Sequence, residues 1–228
     1  MKIISIAFEG PNRSGKGLQI EILSSCFEKE GIPYMIVRGD GSREKNELIE
    51  SNFSMWWENI NPRLHSNNNL NDWNIAACKL AEEVVYCKNN ILPEITRKNN
   101  SDVGMLLIDR SILSRAVLIS EQIRNFTMDD LYPEYFFEQG KVLTVWDVLP
   151  DIIFLLNAPK EVLLSRLSKD DPKYNFRKEI IEKKSNWYNH VLSGFPGIIR
   201  SKVNIIDATK EPIEIHNEVY DIINNLKL

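Results

Sequence analysis

Six residues from Ile3 to Phe8, all apolar except Ser5, run straight into Glu9-Gly10-Pro11-Asn12-Arg13-Ser14-Gly15-Lys16-Gly17. A short apolar run rich in β-branched residues predicts a strand buried on both faces of a parallel sheet. The segment Gly10–Lys16 has the spacing G-x-x-x-x-G-K. Glycines at Gly10 and Gly15 let the backbone curl so that successive N–H groups point inward at an anion. The helix opening after Lys16 would add the positive end of its dipole, and the Lys16 ammonium would reach the outer oxygens of a polyphosphate. That spacing also arises by chance, as a glycine-rich turn with no ligand. Its place between a predicted strand and a predicted helix is the context that gives it meaning.

The rest of the chain repeats the alternation. Apolar runs at Tyr34–Val37, Met105–Ile108, Ile152–Leu156 and Val203–Ile206 predict four more strands. Helical spacing covers Lys16–Glu30, closed by Gly31, then Trp73–Lys98, Arg110–Arg124, Lys160–Leu167, Phe176–Leu192 and Glu211–Leu226. Strands alternating with helices predict an α/β three-layer sandwich of about five parallel strands with helices on both faces. With the loop, this is the P-loop NTPase class. The stretches 51–72 and 127–149 fit less well and carry Trp56, Trp57, Tyr132, Tyr135, Phe136, Phe137 and Trp146. They read as insertions, either over a substrate or on an oligomer face, or as satellite core under long loops.

Composition bounds the function classes. A chain of 228 residues suits one α/β domain with insertions. A net charge of −4 gives no broad face for nucleic acid, so a small anion must be caught by local basic groups. No apolar stretch is long enough to span a membrane, and Ile3–Phe8 is too short for a signal core, so a soluble cytoplasmic protein is expected. Cys26, Cys78 and Cys87 lack metal-ligand spacing and read as reduced thiols. His65, His190 and His216 give no zinc signature.

Asp109-Arg110 is the second constellation. An acid at the carboxyl end of a parallel strand lies where open α/β sheets bind ligands. Asp109 is expected to hold Mg²⁺ through water, and Arg110 to clamp a phosphate bidentately. The plainer alternative is a surface ion pair or a helix start. Gly17 stands where Ser or Thr usually supplies a hydroxyl to Mg²⁺, which puts more weight on Asp109.

These residues resemble the thymidylate kinase family of P-loop nucleoside monophosphate kinases. Phe8-Glu9-Gly10, Arg13-Ser14-Gly15-Lys16 and Gln19 are similar to its opening, and Arg38-Gly39-Asp40-Gly41-Ser42 occupies the place of an Arg-Glu-Pro-Gly-Gly stretch. Asp109-Arg110-Ser111 with Ser114 resembles an Asp-Arg-Tyr segment. Ala158-Pro159-Lys160-Glu161-Val162 with Arg166-Leu167, and later Ile206-Asp207-Ala208, continue the match in order. The resemblance implies one domain over 1–228 with a helical lid at about 166–180. It also implies ATP as donor, Mg²⁺, a small nucleotide or nucleoside acceptor, and a homodimer. Lys16, Arg13, Asp109 and Arg110 would then be catalytic. ATP would lie against Gly10, Asn12, Arg13, Ser14, Gly15, Lys16, Gly17, Leu18 and Arg166. The acceptor would meet Arg38, Asp40, Arg110 and Ser114. Arg177 and Lys173 are further lid cations, with a solvated helix face as the alternative for each.

The departures gather where the family recognises its acceptor. Asn12 replaces an acid, and Ser111 the tyrosine of Asp-Arg-Tyr. A later polar pair falls on Leu118 and Ile119, and a stacking Phe and its Arg fall on Ala or Leu in the helix around 76–83. A site that loses such groups loses discrimination for thymine. Three readings remain. The first is a monophosphate kinase whose acceptor is not ordinary thymidylate, with Trp56 or Trp57 stacking on its base. The second is a deoxynucleoside kinase, which needs a carboxylate to take a sugar-hydroxyl proton, with Asp40 as candidate. The third is a degenerate relative that binds a nucleotide as a sensor or assembly partner.

Overall fold

The computed structural model describes residues 1–38, 83–111, 114, 135–136, 142–143, 149–184, 187–195 and 197–227. Gly39, Asp40, the 51–72 insertion with Trp56 and Trp57, His65, Cys78, the helix start from Trp73, Leu118 and Ile119 lie outside them.

Five strands form one all-parallel sheet: β1 (Lys2–Glu9), β2 (Tyr34–Arg38), β3 (Val103–Asp109), β6 (Ile152–Asn157) and β7 (Val203–Asp207), in the order β2-β3-β1-β6-β7. All five predicted strands are present within a residue or two. Alternate residues of each inner strand point to opposite faces, and both faces are apolar. Ile4, Ile6 and Phe8 of β1, Met105 and Leu107 of β3, and Ile152, Phe154 and Leu156 of β6 form one core. It is covered by Ile20, Leu23 and Phe27 of α1 (Lys16–Glu30) and by Ile215, Val219 and Ile223 of a C-terminal helix, Pro212–Lys227. Ala7, Leu106, Ile108, Ile153 and Leu155 form the other core, under Val84, Cys87, Leu92, Tyr188, Phe195 and Ile199. A strand buried on both faces has no polar side to alternate with, which is why these strands read as continuous apolar runs.

Two short strands, β4 (Tyr135–Phe136) and β5 (Val142–Leu143), pair antiparallel within the predicted 127–149 insertion. The strand β1 leads through α1 towards β2 on one side, while β6 leads to β7 on the other. The C-terminal end of the central strands is therefore the point at which connections diverge, the usual place of a ligand crevice.

Three helical expectations change. Within the long helix expected to end at Lys98, Cys87–Ile91 is a π-helical turn that passes into Leu92–Lys98. Pro93 has no N–H to offer the carbonyl four residues back, and the Leu92 N–H reaches the Cys87 carbonyl instead. The helix expected from Arg110 cannot begin there, because Arg110 has φ 73°; Ser114 is its first described helical residue. The pattern over Phe176–Leu192 is carried by two helices, Tyr174–Lys184 and Trp187–Gly194. Among the described residues no helix is long and apolar enough to cross a membrane.

Gly104 shows how tightly β3 meets the helix covering it. A Cβ there would lie 2.4 Å from Thr96 Oγ1 and 2.9 Å from Ile3 Cδ1. Thr96 is fully buried and donates its hydroxyl to the Leu92 carbonyl at 2.6 Å, so it cannot easily turn away. Gly104→Ala should destabilise the protein by about 1–3 kcal/mol in urea denaturation, and adding Thr96→Ala should recover part of that loss.

Candidate active site

The phosphate loop starts from the last residue of the central strand. Gly10 has φ +135°, and a Cβ on it would lie 2.4 Å from the Leu156 carbonyl oxygen, so glycine alone lets the loop leave β1 this close to β6. Gly15, at φ +96°, is the N-cap of α1, and the Gln19 N–H donates to its carbonyl at 3.0 Å. Gly17 has open space where a side chain would point, with nothing within 4 Å, so no crowding excludes the usual hydroxyl there. Leu18 is 44% exposed.

Lys16 is buried, and its Nζ donates to the carbonyls of Gly10 and Pro11 at 2.9 and 2.8 Å and to Ser14 Oγ at 3.5 Å. Burial, then the nearby Arg110 charge, lowers its pKa to about 7, although Asp109 and Glu9 pull the other way. An incoming anion would restore its charge. The lysine expected to meet phosphate is thus held on the loop's own rim, ready to change partners.

Beneath the loop lies a carboxylate that the sequence pattern alone does not assign to the site. Glu9 is completely buried. Its Oε1 accepts the backbone N–H groups of Ser111 (2.5 Å) and Ser114 (3.1 Å) and the Ser111 hydroxyl (2.9 Å), while Oε2 accepts the Ser114 hydroxyl. Burial raises its pKa above the ordinary carboxyl range against the pull of these bonds. Ser114 Oγ is also 3.1 Å from the Tyr188 hydroxyl, whose own pKa burial pushes up to about 12. Both serine hydroxyls are therefore engaged internally. Ser114, expected to contact an acceptor, bonds to Glu9 and Tyr188 among the described residues, and Ser111 turns back to Glu9. The signal for Glu9 was its position directly before the loop. Nothing local marked Tyr188.

Arg110 leans on this cluster. Its Nη2 donates to Asn12 Oδ1 at 2.7 Å, and its Nη1 lies 3.4 Å from both Ser114 Oγ and the Tyr188 hydroxyl. Burial disfavours its charge, but Tyr188, Glu9 and Asp109 outweigh that and raise its pKa, so it is a fixed cation beside Lys16. Asp109, at the end of β3, sits opposite Arg38 in the strand register, with the Arg38 Nη1 to Asp109 Oδ2 distance at 3.7 Å. The other oxygen, Asp109 Oδ1, is buried with no hydrogen-bond partner. A buried, unpaired carboxylate oxygen costs free energy and suits a water on a divalent cation.

On the other side of the loop, Arg13 has φ 69° and donates through Nη2 to Asp171 Oδ2 at 2.7 Å. Arg177 Nη1 donates to the same oxygen at 2.7 Å. Arg166 donates to the Ala208 carbonyl at 2.8 Å and lies 3.4 Å from the Arg13 carbonyl. Among the described residues Lys173 joins through its backbone, whose N–H donates to Asp171 Oδ1. The structure thus gathers Gly10, Asn12, Arg13, Ser14, Gly15, Lys16, Asp109, Arg110 and Arg166 around one loop, with Arg38 beside Asp109. Asp40 lies outside the described residues.

Away from the loop, Cys26 Sγ lies 3.4 Å from His216 Nε2 between α1 and the C-terminal helix, and the buried Cys87 thiol donates to Glu83 Oε1 at 3.2 Å. Among the described residues no three His, Cys, Asp or Glu side chains cluster as a metal centre.

Glu9 gives a direct test. Glu9→Ala strands two buried N–H groups and should cost about 2–4 kcal/mol in denaturant unfolding, with Glu9→Gln costing less because one amide oxygen remains. A raised folded pKa means that the carboxyl's contribution is fully present below the unfolded value and is lost as pH rises through the folded one. The wild type should therefore lose stability relative to Glu9→Gln as the pH is raised from 4.5.

No protein-family model matches the chain. Curated relatives do. A thymidylate kinase of Fervidobacterium nodosum is 25% identical over 224 residues, covering 96% of this chain and 98% of the relative. One of Thermosipho africanus is 25% identical over 228 residues, covering 96% of each. Another, of Prosthecochloris aestuarii, is 23% identical over 226 residues, covering 96% of this chain and 92% of its own. The all-parallel five-stranded sheet, with a phosphate loop on its central strand, thus accompanies a similarity to thymidylate kinases that runs over nearly the whole length of the chain.

Proposed function

We propose that the protein transfers a phosphoryl group from ATP to a nucleoside monophosphate. The thymidylate kinase relatives support this reaction class. The observation that carries it at the site is the convergence of Lys16, Arg13, Arg110 and Arg166 on one glycine-curled loop at the end of the central strand, with Arg38 paired to the neighbouring Asp109. Phosphoryl transfer asks mainly for positioning and charge neutralisation, which is what such a set supplies.

In this reading the loop N–H groups and Lys16 hold the donor's outer phosphates, and Arg13 faces the transferred group. Arg110 and Arg38 hold the acceptor's phosphate. Asp109 Oδ1 would hold Mg²⁺ through water, in place of a hydroxyl at Gly17. Held there, the ion would supply positive charge against the phosphates of the donor.

The acceptor we favour is not ordinary thymidylate. Asn12 stands where the family carries an acid, and its amide oxygen is taken by Arg110. Ser111 replaces a tyrosine and bonds to Glu9. The relatives' names point to thymidylate itself, so it belongs in the test. Purified protein with Mg²⁺-ATP and a panel of ribo- and deoxynucleosides and their monophosphates, read by mass, should yield a diphosphate that disappears with Lys16→Ala. A new monophosphate would instead indicate a nucleoside kinase. No product with retained ATP binding would indicate a non-catalytic nucleotide binder. Thymidine diphosphate as the main product would overturn the acceptor assignment alone.

A second expectation comes from Lys16. With a pKa of about 7, the free site loses the lysine charge as pH rises, and phosphate binding restores it by taking up a proton. The affinity for Mg²⁺-ATP should fall between about pH 7.5 and 9, by up to about tenfold per unit. Calorimetry in buffers of different ionisation enthalpy should detect the proton uptake, and Lys16→Arg should flatten the pH dependence.

A further inference from the structure

Asp171 lies between the helix Lys160–Ser165 and the helix Tyr174–Lys184, in the stretch expected to form a lid. One of its oxygens, Oδ2, accepts from Arg13 of the phosphate loop and from Arg177 of the following helix, both at 2.7 Å. The other, Oδ1, accepts the Lys173 N–H at 2.9 Å. The Asp171 carbonyl accepts the Tyr174 N–H at 2.8 Å, and the Lys173 carbonyl accepts the Arg177 N–H at 2.8 Å, so the carboxylate is built into the start of that helix. Its side chain is 10% exposed, whereas those of Arg13 and Arg177 are 35% and 37% exposed.

The asymmetry is informative. A guanidinium offers five N–H donors, and Asp171 takes one from each arginine, leaving the rest directed elsewhere. Two guanidinium groups brought together without a counter-ion repel each other. Asp171 removes that repulsion and sets the distance between them. The backbone bond that fixes its Oδ1 also holds Asp171 charged, with its pKa lowered first by the Lys173 N–H and then, against desolvation, by the two arginines. Arg166 meets the Arg13 carbonyl from the same side, so the strained loop residue is held by both backbone and side chain.

We infer that Asp171 is a positioning residue that pre-assembles Arg13 and Arg177 as a paired cation and anchors the 166–180 segment to the phosphate loop. The inference rests on the phosphotransferase reading for its kinetic consequence, but its structural half does not. Preorganised donors stabilise transition-state charge without reorganising at the moment of reaction, so loss of the anchor should fall on kcat rather than on ground-state binding.

The test uses the full chain and two variants, Asp171→Ala and Asp171→Asn, each first checked for an unchanged thermal midpoint. Asp171→Asn retains an acceptor for the Lys173 N–H, so it separates loss of the charge from loss of the helix start. Hydrogen exchange should speed up at least tenfold in 168–180 and in 10–15 for Asp171→Ala, with the central strands unaffected. With the acceptor found, kcat should fall at least tenfold while the KM for ATP changes less than threefold, and Asp171→Ala should add nothing in an Arg13→Ala background. Unchanged exchange in both segments would overturn the anchor. A fully additive double variant, or a loss confined to KM, would overturn the positioning role. A wild type that turns over no substrate would remove the phosphotransferase reading, while the exchange experiment would still decide whether Asp171 is the anchor.

Discussion

Glu9 closes the central strand with a carboxylate that accepts two backbone N–H groups and two hydroxyls from the segment following β3. A negative group placed there is buried at real cost, and the N–H donors of a starting helix are among the few partners that can offset it. Once this is in place, much else is constrained. β1 and β3 must end level with one another, the chain after Asp109 must turn through a left-handed residue, and Arg110 must emerge beside the loop that begins at Gly10. The same carboxylate helps keep two neighbouring cations, Lys16 and Arg110, tolerable in a buried place.

The loop itself divides its work between glycine and charge. Gly10 allows the backbone to pass the Leu156 carbonyl at a distance that no side chain would permit. The charged residues then sit on two sides: Arg110 with Asn12 and Tyr188 towards β3, and Arg13 with Asp171, Arg177 and Arg166 towards the later helices. Donor and acceptor phosphates repel each other strongly. A site that brings them together needs cations on both flanks, and here each flank is tied to the same loop, through Asn12 on one side and Arg13 on the other.

Much of this arrangement was legible in the sequence, for physical reasons that differ from part to part. The strands were legible because burial on both faces leaves no freedom for polar residues, and Ile3–Phe8, Met105–Ile108 and Ile152–Leu156 show that directly. The loop was legible because its glycines and lysine have fixed spacing. Glu9, Tyr188 and Asp171 were not, because their roles come from partners about a hundred residues or more away in Glu9–Ser111 and Arg13–Asp171 and 74 away in Ser114–Tyr188, and no local period records such pairings. The turn at Cys87–Ile91 was hidden for another reason. Apolar spacing tolerates one shifted hydrogen bond, and only Pro93 hinted that the ladder must slip.

Arg13 and Arg110 share a feature with wider meaning. Each is a side-chain-bearing residue at positive φ, the conformation that glycine adopts freely and other residues adopt at roughly 1–3 kcal/mol. Glycine at either position would relieve that strain. A lineage that relaxed these two turns would gain a sturdier protein and lose one guanidinium group from the phosphate loop and another from the turn beside it. The pair therefore works as a small evolutionary gauge. In any descendant of this chain, glycine at both positions would signal a protein released from its chemistry while its sheet remained intact.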